Sequence, residues 1–126
     1  MNMPSSHVCV LNESGRIIAV NDAWRRFAEA NQGGERCCEG ANYLAVCYGA
    51  VGVEAAEANE FAIGIRSVLW GINNCERYLM EYSCDSPRVQ RRFVGTVRRL
   101  MIGDRFLAIV EHTDITERKA DEGAIT

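Results

Sequence analysis

The stretch His112-Thr113-Asp114-Ile115-Thr116-Glu117-Arg118-Lys119 decides how the rest of the chain is read. It ends an apolar run, Arg105 to Thr113, and then turns abruptly polar. Asp114 or Thr116 can cap a helix that starts at Glu117, and Asp114 stands three residues before Glu117 in a box-like arrangement. A strand that passes directly into a helix couples the geometry of a sheet to whatever follows it.

Upstream, Arg91 to Met101 alternates Phe93, Gly95 and Val97 against Arg92, Val94, Thr96 and Arg98, and Gly103-Asp104 makes a tight turn into the final run. These two segments read as a long antiparallel hairpin. Before them, Tyr78, Met80 and Tyr82 alternate with Leu79, Glu81 and Ser83, and Asp85-Ser86-Pro87 breaks the run because proline cannot donate to a ladder. A helix is expected from about Glu54 to Leu69, with Ala55, Ala58, Ala62, Ile65 and Leu69 on one face and Gly71 stopping it. Glu54, Glu57 and Glu60 repeat on its solvated side. Glu35 to Gly40 reads as a loop that leads into a short helical turn at Asn42 to Cys47.

At the other end, Val8 to Asn12, the turn Glu13-Ser14-Gly15, and Arg16 to Val20 form a hairpin. Asn21-Asp22 then caps a helix that carries Trp24, Phe27 and Ala28 to about Ala30, before Gly33-Gly34. The order is two strands, short helices, then three strands. That is an α+β domain in which five antiparallel strands carry helices on one face.

The 126 residues suffice for one core and one domain, and 48% hydrophobic with 25% charged residues is ordinary for a globular protein. A net charge of −3 gives no electrostatic case for nucleic acid or an anionic membrane. No run is long enough to cross a bilayer, and the first residues lack a signal peptide's basic and apolar regions, so the expected location is cytoplasmic, without membrane contact. The cysteines at 9, 37, 38, 47, 75 and 84 include no C-x-x-C pair, and His7 and His112 lie far apart, so no metal site is expected. Catalysis would need a nucleophile with its base, paired carboxylates or a metal around a pocket. No such constellation stands out, so no catalytic residue is assigned and no enzyme activity is expected. His112 reads as a hydrogen-bonded or surface-exposed strand residue.

The closing stretch resembles the D-I-T-E-R-K signature of PAS domains. Gly15-Arg16-Ile17-Ile18-Ala19-Val20-Asn21-Asp22-Ala23-Trp24 resembles that family's opening hairpin running into its first helix. The resemblance covers about Val8 to Lys119, and implies an N-terminal extension over 1–7, a PAS domain over 8–116 and a C-terminal linker or exit helix over 117–126. Glu81-Tyr82-Ser83-Cys84-Asp85-Ser86-Pro87 with Arg92-Phe93 resembles a subgroup found in bacterial sensor kinases, with Ser83 and Arg91 departing from its usual residues.

The family implies an input and signal-relay module of a two-component system such as a sensor histidine kinase. A small ligand or cofactor would sit between the helices and the inner sheet face, walled by Tyr43, Cys47, Ile65, Leu69, Tyr78, Met80 and Phe93. Asp114, Ile115 and Thr116 would relay the signal to a downstream effector domain such as a kinase. The cofactor stays unknown. Gly40-Ala41-Asn42-Tyr43-Leu44 has tyrosine where a photoactive flavin domain has its reactive cysteine, so adduct chemistry is not expected. Non-covalent flavin stays open, with Trp24, Trp70 and the tyrosines offering stacking faces. Haem is not expected, because the long helix carries no histidine and the spacing of Cys47 and Met80 does not favour ligation. A homodimer is expected through the outer sheet face and the terminal segments. The alternatives are a ligand-free dimerisation module, or a thiol redox sensor built on Cys37, Cys38, Cys47 or Cys84 with Arg36 beside Cys37.

Overall fold

The computed structural model describes residues 6–30, 38–49, 55–83 and 92–116. Strands β1 (His7–Leu11) and β2 (Ile17–Val20) open the chain, followed by helix α1 (Asp22–Ala30), helix α2 (Tyr43–Tyr48) and helix α3 (Ala55–Leu69). A 3-10 turn, Ile72–Asn74, leads into β3 (Arg77–Ser83), β4 (Arg92–Ile102) and β5 (Arg105–Asp114). The strands form one antiparallel sheet in the order β2-β1-β5-β4-β3, so the two terminal strands β1 and β5 lie side by side at its centre. The expected α+β architecture is therefore present.

Local chemistry explains the ends of the elements. Asn12 accepts the Ser14 and Arg16 N–H groups at 2.9 and 3.0 Å, and Gly15 takes φ 84°, so the first hairpin turn is set by an Asx turn and a glycine. The Asn21 side chain accepts from Trp24 N–H at 2.9 Å and starts α1. Asn42 does the same for α2, accepting from Ala45 N–H at 3.0 Å, so Asn42 is the cap and Tyr43 the first helical residue. At the β4–β5 turn Gly103 has φ 63°, which lets the hairpin run on to the Ile102–Arg105 pair.

Period two sends Cys9, Leu11, Val97, Ala108 and Val110 to the helix side of the sheet, where all are buried. Helix α3 covers them with Phe61, Ala62, Ile65, Val68 and Leu69. Each large side chain removed from water in this way contributes about 1.5–3 kcal/mol. The apolar face of α3 is broader than the alanine-centred stripe expected from spacing. Ala62, Ile65 and Leu69 lie on it, but Phe61 and Val68 supply much of its volume and Ala58 is only half-buried. Glu54, the Cys37 and Cys84 thiols, Arg36, Gly33-Gly34, the Asp85-Ser86-Pro87 loop and the segment from Glu117 lie outside the described residues. Among the described residues no helix is long and apolar enough to cross a membrane.

Candidate functional site

The interior is built from two kinds of surface. Toward β2 and α2 it is aliphatic, with Leu11, Ile17, Leu44, Ile65, Val68, Val97 and Val110 around the thiols of Cys9 and Cys47. Toward the ends of β3 and β5 it is aromatic and contains His112, the one buried polar or charged residue described, with 8% of its surface exposed.

The strand period that buries Ala108 and Val110 also points His112 inward. Its Nε2 lies 2.9 Å from the Tyr43 hydroxyl, and its Nδ1 lies 2.6 Å from the Tyr82 hydroxyl. The hydrogen-bonded tyrosines come from α2 and from β3, so the imidazole ties two elements to the central strand. Around it stand Phe61 at 5.2 Å, Trp24 at 5.6 Å and Tyr82 at 5.6 Å between ring centroids. Phe93 stacks on Tyr82 at 5.7 Å and meets Phe27 edge-on, and His7 packs against both phenylalanines.

Gly95 makes this arrangement possible. It pairs with His112 across the β4–β5 ladder, and a Cβ there would sit 2.7 Å from the Phe61 ring. The missing side chain opens a notch that the phenylalanine fills.

Burial penalises the charged imidazole and, with a smaller contribution from His7, pushes the His112 pKa down to about 3. The ring is therefore neutral at ordinary pH, with one nitrogen donating and the other accepting. Of its two tyrosine partners, one hydroxyl gives a proton to the ring and one oxygen receives one. Such a trio costs desolvation that an apolar side chain would not, and its geometry must be kept to offset that cost.

No protein-family model matches the chain. A curated protein of Rhodobacter capsulatus, described as an uncharacterized 104.1 kDa protein in the hypE 3' region, is 40% identical over 115 residues. That match takes in 89% of this chain and 12% of the relative, so the chain spans only a small part of that protein's length. Among solved structures, the sensor region of a sensor histidine kinase superposes with a TM-score of 0.64 at 18% identity, over 94% of this chain and 43% of that one. The PAS domain of Bordetella pertussis BvgS gives 0.58 at 17% identity, over 95% and 84%. An RNA-binding light-oxygen-voltage receptor gives 0.59 at 17% identity, over 90% and 30%.

The chain has the PAS fold. The sheet order and the helices on one face place the His112 trio in the layer between helix α3 and the sheet.

The residues named from sequence as cavity wall divide between the two halves of that layer. Cys47, Ile65 and Leu69 are buried in the aliphatic half, where Tyr78 and Met80 pack half-buried against them. Tyr43 bridges the two halves, while Phe93 belongs to the aromatic half. A Cβ on Gly64 would lie 2.3 Å from the Tyr78 ring, so α3 rests directly on that tyrosine. The Tyr78 hydroxyl donates to the Met80 sulfur at 3.5 Å. Sequence reasoning named neither His112 nor its second partner Tyr82 among the site residues.

Of the stacking faces considered for a flavin, Trp24 is buried beside Tyr43 and His112. Trp70 is not available to the core: it is 54% exposed, lies under the Arg66 guanidinium, and donates its indole N–H to the Glu13 carbonyl. Of the thiols considered for redox sensing, Cys47 is buried and Cys38 half-buried, while Cys37 and Cys84 lie outside the described residues. Beside Cys47, burial, reinforced by Cys47 itself, pushes the Cys9 thiol up, away from the reactive thiolate. Among the described residues no group of three or more metal-ligating side chains converges.

The closing residues are tightly tied. The Asp114 carboxylate accepts from the Thr116 N–H at 2.9 Å and from its hydroxyl at 2.5 Å. The same Thr116 oxygen accepts from the Arg92 N–H at 2.9 Å, and Ile115 N–H donates to the Arg92 carbonyl at 2.8 Å. Asp114 thus holds Thr116, while both Ile115 and Thr116 hold the first residue of β4. Ile115 is itself buried.

Proposed function

We propose that this PAS domain is the sensory input module of a bacterial signal-transduction protein such as a sensor histidine kinase. Its receiving site is the aromatic half of the core. The observation that carries this reading is His112: a neutral imidazole held between two tyrosine hydroxyls, two residues before the Asp114–Thr116 clasp at the end of the same strand. A small planar ligand, a non-covalent flavin included, would exchange aromatic contacts with Trp24, Phe61 and Phe93 and hydrogen bonds with Tyr43 and Tyr82. Displacing either tyrosine from the ring shifts β5 against α2 or β3. Asp114, Ile115 and Thr116 would pass that shift to an effector domain, in the cytoplasm and within a homodimer paired through the terminal segments. The likeness to a sensor histidine kinase region supports the setting through the fold.

Freshly purified protein examined by absorption spectroscopy and native mass spectrometry tests the reading. A chromophore band or a stable added mass that is lost in Tyr43→Phe/Tyr82→Phe is the expected result. A colourless protein of bare chain mass, whose His112 ring signals stay unchanged on titration with flavin mononucleotide and a panel of small aromatic compounds, would overturn it. Sedimentation over a wide concentration range reads the pairing, and a concentration-independent monomer would refute the homodimer.

A further inference from the structure

The outer face of the sheet carries a cluster that the core site does not use. In the β3–β4 register Arg77 stands directly opposite Arg98, and Leu79 directly opposite Thr96. The alternation that buries Val97 turns Thr96 and Arg98 to the outer face, and their partners follow. Together with Tyr78 and Val97, these four residues line a depression of about 240 Å³.

Both arginines are exposed, and among the described residues neither has a carboxylate within ion-pair distance. The ion pairs there are Arg25–Glu39, Arg92–Glu81 and Arg99–Glu76. Like charges directly opposite on neighbouring strands weaken the pairing. Here they also leave two guanidinium forks and the Thr96 hydroxyl facing one volume. A carboxylate offers one edge to a bidentate fork, whereas a phosphate has the charge and the acceptor oxygens to take two forks and a hydroxyl on different edges. Leu79, 65% exposed, adds an apolar wall on the remaining side. The nearest acid across the ladder is Glu111, opposite Thr96 on β5, and Glu81 follows Leu79 on the same face of β3. Glu111 opposes an anion in the square, and Glu81 is engaged with Arg92 at 3.9 Å.

We propose that Arg77, Arg98, Thr96 and Leu79 form a binding site for a phosphate-bearing ligand, separate from the core. The phosphate is either free or the head of a small monoester whose carbon portion lies on Leu79.

The test is a titration of the 126-residue chain followed by amide NMR, at constant ionic strength in phosphate-free buffer, with inorganic phosphate, phenyl phosphate and acetate. Saturable shifts at Arg77, Thr96 and Arg98 with both phosphates, and none with acetate, are expected. Arg77→Gln and Arg98→Gln should each weaken binding about tenfold, the scale of one charge-assisted contact. Glu111→Gln should tighten it about two- to threefold by removing a like charge beside the site. Without phosphate, either arginine variant should melt slightly higher than the parent, a sign that a merely disrupted fold would not give. Phenyl phosphate binding tighter than phosphate, with the difference lost in Leu79→Ser, identifies a monoester; equal affinities identify free phosphate. Shifts that acetate reproduces, or that survive both arginine substitutions, would show a solvated basic pair and overturn the proposal.

Discussion

The two halves of the interior answer different demands. The aliphatic half is built mainly from Leu11, Ile17, Ile65, Val68, Val97 and Val110, side chains with no polar atom to satisfy, beside two weakly polar thiols and the half-buried Tyr78. Its contribution to stability scales with area and packing. The aromatic half has the same depth but keeps an imidazole and two phenols, each needing a partner of defined direction. Hydrophobic side chains could fill that volume with less risk. A region that retains polar groups under such constraint has a rearrangement available to it that the aliphatic half lacks, because hydrogen bonds can be exchanged whereas a packed methyl group can only be lost. Gly95 fits the contrast: it forgoes side-chain packing on β4 so that Phe61 and His112 can meet.

The largest expected effect lies in the aliphatic half. Ile65 is fully buried on the sheet-facing side of α3, and Ile65→Ala should destabilise the domain by about 2–5 kcal/mol, read from the urea midpoint. Because the cost arises from a cavity, it should be the same at pH 5 and pH 7. A pH-dependent loss at Ile65 would mean that the two halves are not separable.

The aromatic half should respond to pH instead. The unfolded His112 titrates near 6.5, while burial lowers the folded value to about 3, so between these values the unfolded chain binds the extra proton. Stability contributed by the neutral ring is therefore complete above the unfolded value and is lost as the pH falls toward the folded one. The slope approaches about 1.4 kcal/mol per pH unit, amounting to about 2 kcal/mol by pH 5. In His112→Phe this part of the slope should vanish, whatever that substitution does to absolute stability. If denaturation midpoints of parent and variant run parallel between pH 7 and pH 5, His112 is not the buried neutral group of the contrast.

How much of this was legible in sequence differs between the halves for the same reason. Strand alternation in Phe93, Gly95 and Val97 and the spacing of Ala62, Ile65 and Leu69 are local periodicities, and they placed the strands, the long helix and much of the aliphatic wall. Phe61 and Val68 were overlooked because a face centred on alanines was read one step around the helix from its bulkiest residues. The period in β5 that buries Ala108 and Val110 also reaches His112, so the burial of that residue was readable. Its role was not, because its partners Tyr43 and Tyr82 lie 69 and 30 residues away and only the assembled sheet brings them together. Trp70 shows the converse, since its place at the end of α3 left it outside the core despite its aromatic character.

The smallest effects should sharpen the contrast most. Tyr43→Phe and Tyr82→Phe each remove one hydroxyl from the ring and should each cost about 1 kcal/mol. In either single variant the imidazole can choose its tautomer, giving its N–H to the tyrosine that remains and leaving only the acceptor nitrogen unpaired, the less costly orphan. In the double variant no choice of tautomer helps: one N–H and one lone pair are both stranded. The combined cost should therefore exceed the sum of the singles by a few tenths of a kcal/mol, measurable by a double-mutant cycle. The nitrogen chemical shifts of His112 should reverse between the two single variants. Strict additivity with an unchanged tautomer would mean that the ring is fixed by its packing alone, and the aromatic half would then be as static as the aliphatic one.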